Sequence, residues 1–220
     1  MIVDERLVTY INSLDTGNTE ILDQIEKEAI AAYVPIIRKE MQSFLKLLLA
    51  MQKPMRILEV GTAVGFSAIL MAQYAPADCK IVTIENYEKR IPVAKENFKR
   101  AGKDEQITLL EGDAMQILPT LSGEFDMIFM DAAKGQYINF MPDILRLLKS
   151  GGVLVSDNVL QDGDIIESRF AVERRNRTIH SRMRDYLYEL KHSDVLETSI
   201  IPLGDGVALS IKKKKEEKEN

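Results

Sequence analysis

A single cysteine, Cys79, stands in the 220 residues. One thiol excludes an intrachain disulfide and a cysteine-based metal cluster, and it fits a reducing cytoplasm, where we expect the protein to act. No uninterrupted apolar run is long enough to cross a bilayer. The start, Met1-Ile-Val-Asp-Glu-Arg6, has no apolar stretch behind a basic opening, so no signal peptide is expected. A positive excess is also missing. The net charge of -5 gives no global sign of nucleic-acid binding and leaves only a local basic patch to carry one. Internal repeats and an interdomain linker are absent. What is present is the make-up of an ordinary globule, 45% hydrophobic and 29% charged. The length suits one α/β domain with a sizeable core and a small extension.

Residues 1 to about 52 read as helical. Ile37, Met41, Phe44, Leu45, Leu48 and Leu49 recur at helical spacing and make one apolar face. Val34-Pro35 breaks the pattern just before them. After Pro54 strands alternate with helices. The strand-like runs are Ile57–Val60, Ile81–Ile84, Ile107–Leu110, Asp126–Met130 and Gly152–Val155. Helical stretches lie around Phe66–Gln73, Tyr87–Arg100 and Tyr137–Leu148, with Gly151-Gly152 reading as the stop of the last. This alternation predicts a parallel sheet with helices on both faces. Val195–Pro202 and Val207–Lys212 read as two further strands, joined as a hairpin through Leu203-Gly-Asp-Gly206. The expected plan is a single domain: helices over 1–52, an α/β core over 53–212 and a disordered, charged tail over 213–220.

The most telling segment is Met55-Arg-Ile-Leu-Glu-Val-Gly-Thr-Ala-Val-Gly-Phe-Ser67. A buried strand runs into a loop where Gly61 and Gly65 let the backbone turn and approach a ligand. The helix that follows presents free N–H groups. An open parallel sheet binds ligands beyond the C-terminal ends of its strands, and this loop sits there. Its pattern is not the G-x-G-x-x-G of dinucleotide enzymes, because Ala63 and Phe66 replace two glycines. A bulky Phe66 suits a pyrophosphate poorly. Glu59 sets a negative charge beside the loop, which repels phosphates and suits an ammonium group. Glu85, closing the next strand, can accept from both ribose hydroxyls. Gly112-Asp113, after the third strand, can reach an adenine amino group. Each of these alone also reads as a turn glycine or a solvated cap. In order, at three successive strand ends, they predict an adenosine-type cofactor.

With these motifs the sequence resembles the class I S-adenosylmethionine-dependent methyltransferases, in particular the metal-dependent catechol and caffeoyl-CoA O-methyltransferase family. The residues that carry the likeness are Glu59-Val-Gly-Thr-Ala-Val-Gly65, Glu85, Gly112-Asp-Ala114, Asp131-Ala-Ala-Lys-Gly135, Asp157-Asn158 and Gly204-Asp-Gly206. Within the family, Tyr33-Val-Pro-Ile36, Asp131-Ala-Ala-Lys-Gly-Gln-Tyr137 and Asp157-Asn-Val-Leu160 are most similar to the bacterial tRNA 5-hydroxyuridine methyltransferases. Those make 5-methoxyuridine at the wobble position. The resemblance implies a Rossmann-like α/β fold: a mostly parallel seven-stranded sheet with a C-terminal antiparallel strand and an N-terminal helical extension. It implies S-adenosyl-L-methionine as methyl donor. Glu59, Gly61, Ser67 and the segment around Ile37 would lie at its methionine end, Glu85 on the ribose, and Gly112, Asp113 and Ala114 by the adenine, with Asp131 also in contact. It implies Mg2+ and, as is common in the family, a homodimer. Ala63 departs from the family's commonest glycine pattern.

Asp131 follows one strand and Asp157-Asn158 another, on the rim that carries the cofactor loop. Two carboxylates and an amide oxygen are hard ligands that match Mg2+ and not Zn2+. A turn or helix N-cap is the plain alternative for Asp157-Asn158. On the metal reading, a substrate with two adjacent oxygens takes the open positions, and its hydroxyl is acidified and aligned with the methyl group. Lys134 resembles the family's base, so Lys134 and Asp131 are the expected catalytic residues; a surface lysine is the plain alternative. The stretch Arg169–His192 is locally basic. Arg174, Arg175 and Arg177 are expected to hold tRNA phosphates around a splayed anticodon base. The plain reading is a solvated helix face with Met183, Tyr186, Leu187 and Leu190 inward. The leading expectation is a Mg2+-dependent O-methyltransferase of tRNA wobble 5-hydroxyuridine. A small catechol-like or phenolic substrate is the nearest rival, because it offers the same oxygen pair. A nicotinamide-dependent oxidoreductase and an RNA-binding module without catalysis complete the field. Phe66 speaks against the first of these, and the Asp131, Asp157 and Asn158 set against both.

Overall fold

The computed structural model of the protein describes residues 3–214. Within them seven strands form one sheet: β1 Arg56–Val60, β2 Lys80–Glu85, β3 Ile107–Glu111, β4 Phe125–Met130, β5 Leu148–Ser156, β6 Leu196–Ile201 and β7 Val207–Lys212. The helices are α1 Glu5–Ser13, α2 Glu20–Ala31, α3 Lys39–Gln52, α4 Phe66–Tyr74, α5 Ile91–Arg100, α6 Ala114–Ile117, α7 Tyr137–Leu147 and α8 Arg177–His192. The strand order is β3-β2-β1-β4-β5-β7-β6. β1 to β5 pair in parallel, and β7 enters antiparallel between β5 and β6. The fold is the expected Rossmann-like one, with its antiparallel C-terminal strand. Between β1 and β4 the strand order reverses, which opens a crevice at the C-terminal ends of the strands.

Both faces of the sheet are covered, which is why the strands are apolar almost throughout. Side chains alternate along each strand. Ile57, Met127, Phe129, Val153 and Val155 pack with the α2, α3, α4 and α5 residues of one layer. Leu58, Val60, Ile128, Met130 and Leu154 pack with α7 and α8 in the other. In α3, Met41, Leu45, Leu48 and Leu49 are buried on one stripe. Full burial of a leucine such as Leu45 or Leu49 contributes about 1.5–3 kcal/mol. α1 differs: none of its residues is buried, and Leu7, Tyr10, Ile11 and Leu14 stay exposed.

Two expected boundaries are corrected. The helix expected from Tyr87 starts at Ile91, because Tyr87–Arg90 close a turn in which Arg90 N donates to Tyr87 O at 2.8 Å, with Pro92 in the helix's first turn. Gly151-Gly152 does not stop α7, which ends at Leu147. Both glycines lie inside β5, where the register to β4 shifts between Phe125 and Met127. A Cβ on Gly152 would stand 2.8 Å from Lys149 O and 3.0 Å from Asp126 O, so the strands close up only on glycine. Lys212 ends β7 with its ammonium on the carbonyls of Leu145 and Leu148, 2.7 Å from each. The expected charged tail lies outside the described residues beyond Lys214.

Candidate active site

A cavity of about 620 Å3 opens over the C-terminal ends of β1 to β5. The loop after β1 forms one wall with Gly61, Thr62, Ala63, Phe66 and Ser67. Gly61 has φ 104, and a Cβ there would collide with the Asp131 carbonyl, so glycine is needed on both counts. Ala63 occupies the left-handed region at φ 47. Its N–H donates to Glu85 Oε2 at 2.7 Å. The other Glu85 oxygen accepts from Asn86 N and Tyr87 N at 3.0 and 2.8 Å. Three backbone donors thus hold this carboxylate on the cavity wall, which leaves about one of its roughly four lone-pair sites for a ligand hydroxyl. Asp113 accepts from Met115 N at 2.9 Å, capping α6, and lines the cavity with Gly112 and Ala114. Ile37 comes to the cavity with Pro35, Ile36 and Arg38, from the link between α2 and α3. Phe66 is buried at the start of α4, an apolar wall where a pyrophosphate would need small residues.

Glu59 stands elsewhere than expected. It is fully buried and is not among the residues lining the cavity. It alternates with Leu58 and Val60, so it faces the α4 layer beneath the loop. Ser67 Oγ and Thr83 Oγ1 donate to its two oxygens at 2.5 Å each, and Thr62 Oγ1 meets Thr83 Oγ1 at 2.5 Å. Burial outweighs these bonds and pushes its pKa up to about 7. Glu59 therefore reaches a ligand only through Ser67 and Thr62, which do line the cavity.

Asp131 and Asp157 lie one residue past β4 and β5. The sheet sets their backbones: Asp131 N donates to Val60 O at 3.0 Å and Asp157 N to Met130 O at 2.9 Å. The buried Tyr137 hydroxyl stands 3.0 Å from Met130 O and 3.1 Å from Asp157 O, and accepts from Ala132 N at 3.3 Å. Asn158, left-handed at φ 60, turns its amide back so that Nδ2 donates to Asp131 Oδ1 at 3.1 Å. Its N–H donates to Asp157 Oδ1 at 2.7 Å. The three residues expected to ligate metal are thus brought together at the cavity. Burial raises the pKa of Asp131, opposed by the Asn158 hydrogen bond and the Lys134 charge. Asp157 is pushed up to about 7, by burial first and by Asp131's charge second. Two buried carboxylates, the charge of Asp131 disfavouring that of Asp157, beside an amide that would have to turn its oxygen inward, would supply an all-oxygen donor set for a hard divalent cation. Among the described residues no three His, Cys, Asp or Glu side chains gather into a metal-binding group. The third donor here is the Asn158 amide.

Lys134 lies on the turn Lys134–Gln136 and does not line the cavity. Its Nζ is held 2.8 Å from Asp205 Oδ2, and Asp205 is only 3% exposed. Asp205 sits at the tip of the β6–β7 hairpin and does line the cavity. Its second oxygen accepts from Asp162 N. Val159 N and Leu160 N donate to Gly206 O and Asp205 O at 3.0 and 2.9 Å. The hairpin is thereby fastened to the loop after Asp157. This pair holds Lys134 on the loop after β4, beside the site and off the cavity wall. Arg174, Arg175 and Arg177 do not line the cavity. Arg175 pairs with Glu173 at 2.7 Å, and Arg177 donates to the carbonyls of Val172 and Phe170 at 3.2 Å. α8 reaches the site through Arg182, whose Nη1 donates to Gly135 O at 3.1 Å.

A model of the O-methyltransferase family matches residues 12–213. The chain belongs to the O-methyltransferase family. A catechol O-methyltransferase of Niastella koreensis is 40% identical over 128 residues, which make up 56% of this chain and 58% of that protein. The match thus spans a little over half the length of that relative. A candidate caffeoyl-CoA O-methyltransferase of Staphylococcus aureus superposes with a TM-score of 0.87 at 30% identity, covering 95% of this chain and 100% of that one. A methyltransferase of Podospora anserina bound to S-adenosylhomocysteine (SAH) superposes with a TM-score of 0.86 at 27% identity, covering 96% and 97%.

This O-methyltransferase uses two groups to which the sequence assigned no role. Asp205 reads as part of a hairpin turn, yet it anchors Lys134. The Tyr137 hydroxyl ties together the ends of β4 and β5. The available signal was position: Gly204-Asp-Gly206 opens a strand whose antiparallel direction brings it to the same rim as Asp157.

Proposed function

We propose that this O-methyltransferase moves the methyl group of S-adenosyl-L-methionine to the 5-hydroxyl of 5-hydroxyuridine at the tRNA wobble position, giving 5-methoxyuridine. Mg2+ would be held by Asp131, Asp157 and Asn158. The observation that carries the reading is the pairing, in one cavity, of a backbone-anchored Glu85 with that all-oxygen set. The SAH-bound relative supports the choice of donor. When bound, S-adenosyl-L-methionine supplies an activated methyl group and Mg2+ a Lewis acid that eases loss of a hydroxyl proton. The chain's own residues position the reactants. Glu85 orients a ribose diol, and Gly61 and Ser67 shape the loop beside the methionine end. Phe66, Phe140 and Ile37 keep that part of the cavity apolar. Lys134, fixed by Asp205, places positive charge near a developing oxyanion.

The tRNA assignment draws support from α8, which touches the Gly135 loop and follows the exposed Arg174 and Arg175. A small catechol-like substrate is the second reading, favoured by the catechol-acting relative. The exposed apolar face of α1 suits the contact of a homodimer. We place the protein in the cytoplasm. Nucleoside analysis of tRNA from a strain lacking the gene tests the substrate. The expected result is loss of 5-methoxyuridine with accumulation of 5-hydroxyuridine, restored by the wild-type gene and not by Asp131→Ala. Unchanged 5-methoxyuridine, with methylation of a catechol by the purified protein, would give the site to small phenols.

A further inference from the structure

A second cavity, of about 310 Å3, lies between α8 and the segment Glu167, Ser168 and Arg169. From α8 it receives His180, Ser181, Arg184 and Asp185. His180 and Arg184 are four residues apart, as are Ser181 and Asp185, so they share one side of the helix. His180 is 2% exposed, and neither ring nitrogen has a hydrogen-bond partner among the described residues. A neutral imidazole carries one donor and one acceptor, and leaving both unmet in a buried place is costly. The rest of the lining is mixed: two guanidinium groups, two carboxylates and two hydroxyls. Its formal charges cancel, so a phosphate meets repulsion as well as attraction. Donors and acceptors side by side match the edge of a nucleobase, which presents both. The volume is at the lower end of the range for small-ligand pockets, about 300–1,000 Å3.

The same helix also reaches the loop beside the active site, from another side. Ile179 and Arg182, neighbours of His180 on α8, both reach Gly135: Arg182 bonds its carbonyl, and Ile179 Cγ1 is 3.5 Å from where a Gly135 Cβ would stand. We propose that this pocket receives an unstacked base of the RNA substrate, from a nucleotide near the one that enters the main cavity. The proposal rests on the tRNA reading above.

The chain has two histidines, His180 and His192. His192 is exposed at the end of α8 and stacks on Tyr188 at 3.8 Å, which makes it an internal control. Histidine-labelled full-length protein therefore gives two sets of imidazole NMR signals. A synthetic anticodon stem-loop carrying 5-hydroxyuridine should move the His180 set and leave the His192 set in place. His180→Phe, and separately Ser181→Ala, should weaken stem-loop binding by about 5- to 100-fold. Affinity for S-adenosyl-L-methionine should stay at the wild-type level in both, which also reports that they fold. Methylation of the stem-loop with the His180 signals unmoved would overturn the pocket and leave the tRNA reading standing. Inorganic phosphate moving His180 as far as the RNA does would overturn it in favour of an anion site. Methylation of a catechol with none of the stem-loop would remove the tRNA reading and the pocket with it.

Discussion

Glu85 at the end of β2 and Asp157 after β5 are both buried carboxylates on one rim, 8% and 5% exposed. Glu85 accepts from three backbone N–H groups. Asp157 accepts from one and faces Asp131, and its pKa is pushed up to about 7. The β1–β3 half of the cleft is thus completed by the protein itself, with each acid bonded before any ligand arrives. The β4–β5 half is left short of positive charge. The difference separates a half built for shape and hydrogen bonding from a half built to take up a cation.

The largest effect should come from emptying the second half. Asp131→Ala is expected to lower methyl transfer by on the order of 1,000-fold. Calorimetric affinity for S-adenosyl-L-methionine should change only a few-fold, since Glu85 is untouched. If chelating agents leave wild-type activity intact, the contrast between the halves is broken.

Next comes the pH dependence of stability, which probes Glu59 beneath the first half. Its pKa is 4.5 ordinarily and about 7 in the fold. The unfolded chain gives up this proton first, so the stability from this group is complete below the unfolded value and lost as pH rises through about 7. Urea unfolding should show a fall across that window that is smaller by about 3 kcal/mol in Glu59→Gln. Added Mg2+ should change the Glu59 share only slightly, because burial is the first cause of its shift and the Asp131 charge a lesser one.

Asp205→Asn should reduce kcat by about 10- to 100-fold, with KM for the methyl donor unchanged. Lys134→Met should do the same, and the double variant should be little worse than either, the signature of two residues acting as a unit. A double variant whose losses simply multiply would separate the pair. The smallest effect belongs to Ala63→Gly. Relief of the left-handed strain is worth about 1 kcal/mol, and the freer unfolded chain takes back about as much. Thermal unfolding should therefore shift by no more than a few degrees.

Much of this fold can be read from the chain because a buried parallel sheet writes itself as apolar runs closed by turn residues, and because ligands gather where those runs end. Glu85, Asp113, Asp131 and Asp157 are each found that way. Glu59 is not, since a strand buried on both faces has no polar alternation to show which way one acid points. Gly151-Gly152 is ambiguous for a similar reason: the same glycines can stop a helix or let two strands close up. Asp205 and Tyr137 depend on contacts between segments some 70 and 20 residues apart, which no local pattern records. Of the arginines that form a run in sequence, Arg175 pairs with Glu173, Arg177 bonds the carbonyls of Val172 and Phe170, and none of Arg174, Arg175 and Arg177 lines the cleft.

The antiparallel entry of β7 also has a consequence for how the enzyme is made. β5 can pair on its outer side only with a strand translated some fifty residues later, and Asp205 arrives on that same hairpin. While the ribosome is still adding those residues, Lys134 has no carboxylate to hold it and the loop after Asp157 has no hairpin to rest on. The residues of the methyl-donor wall from β1 to β3 are all translated long before. A nascent chain thus receives the residues of its donor half first and those that close its reactive half last.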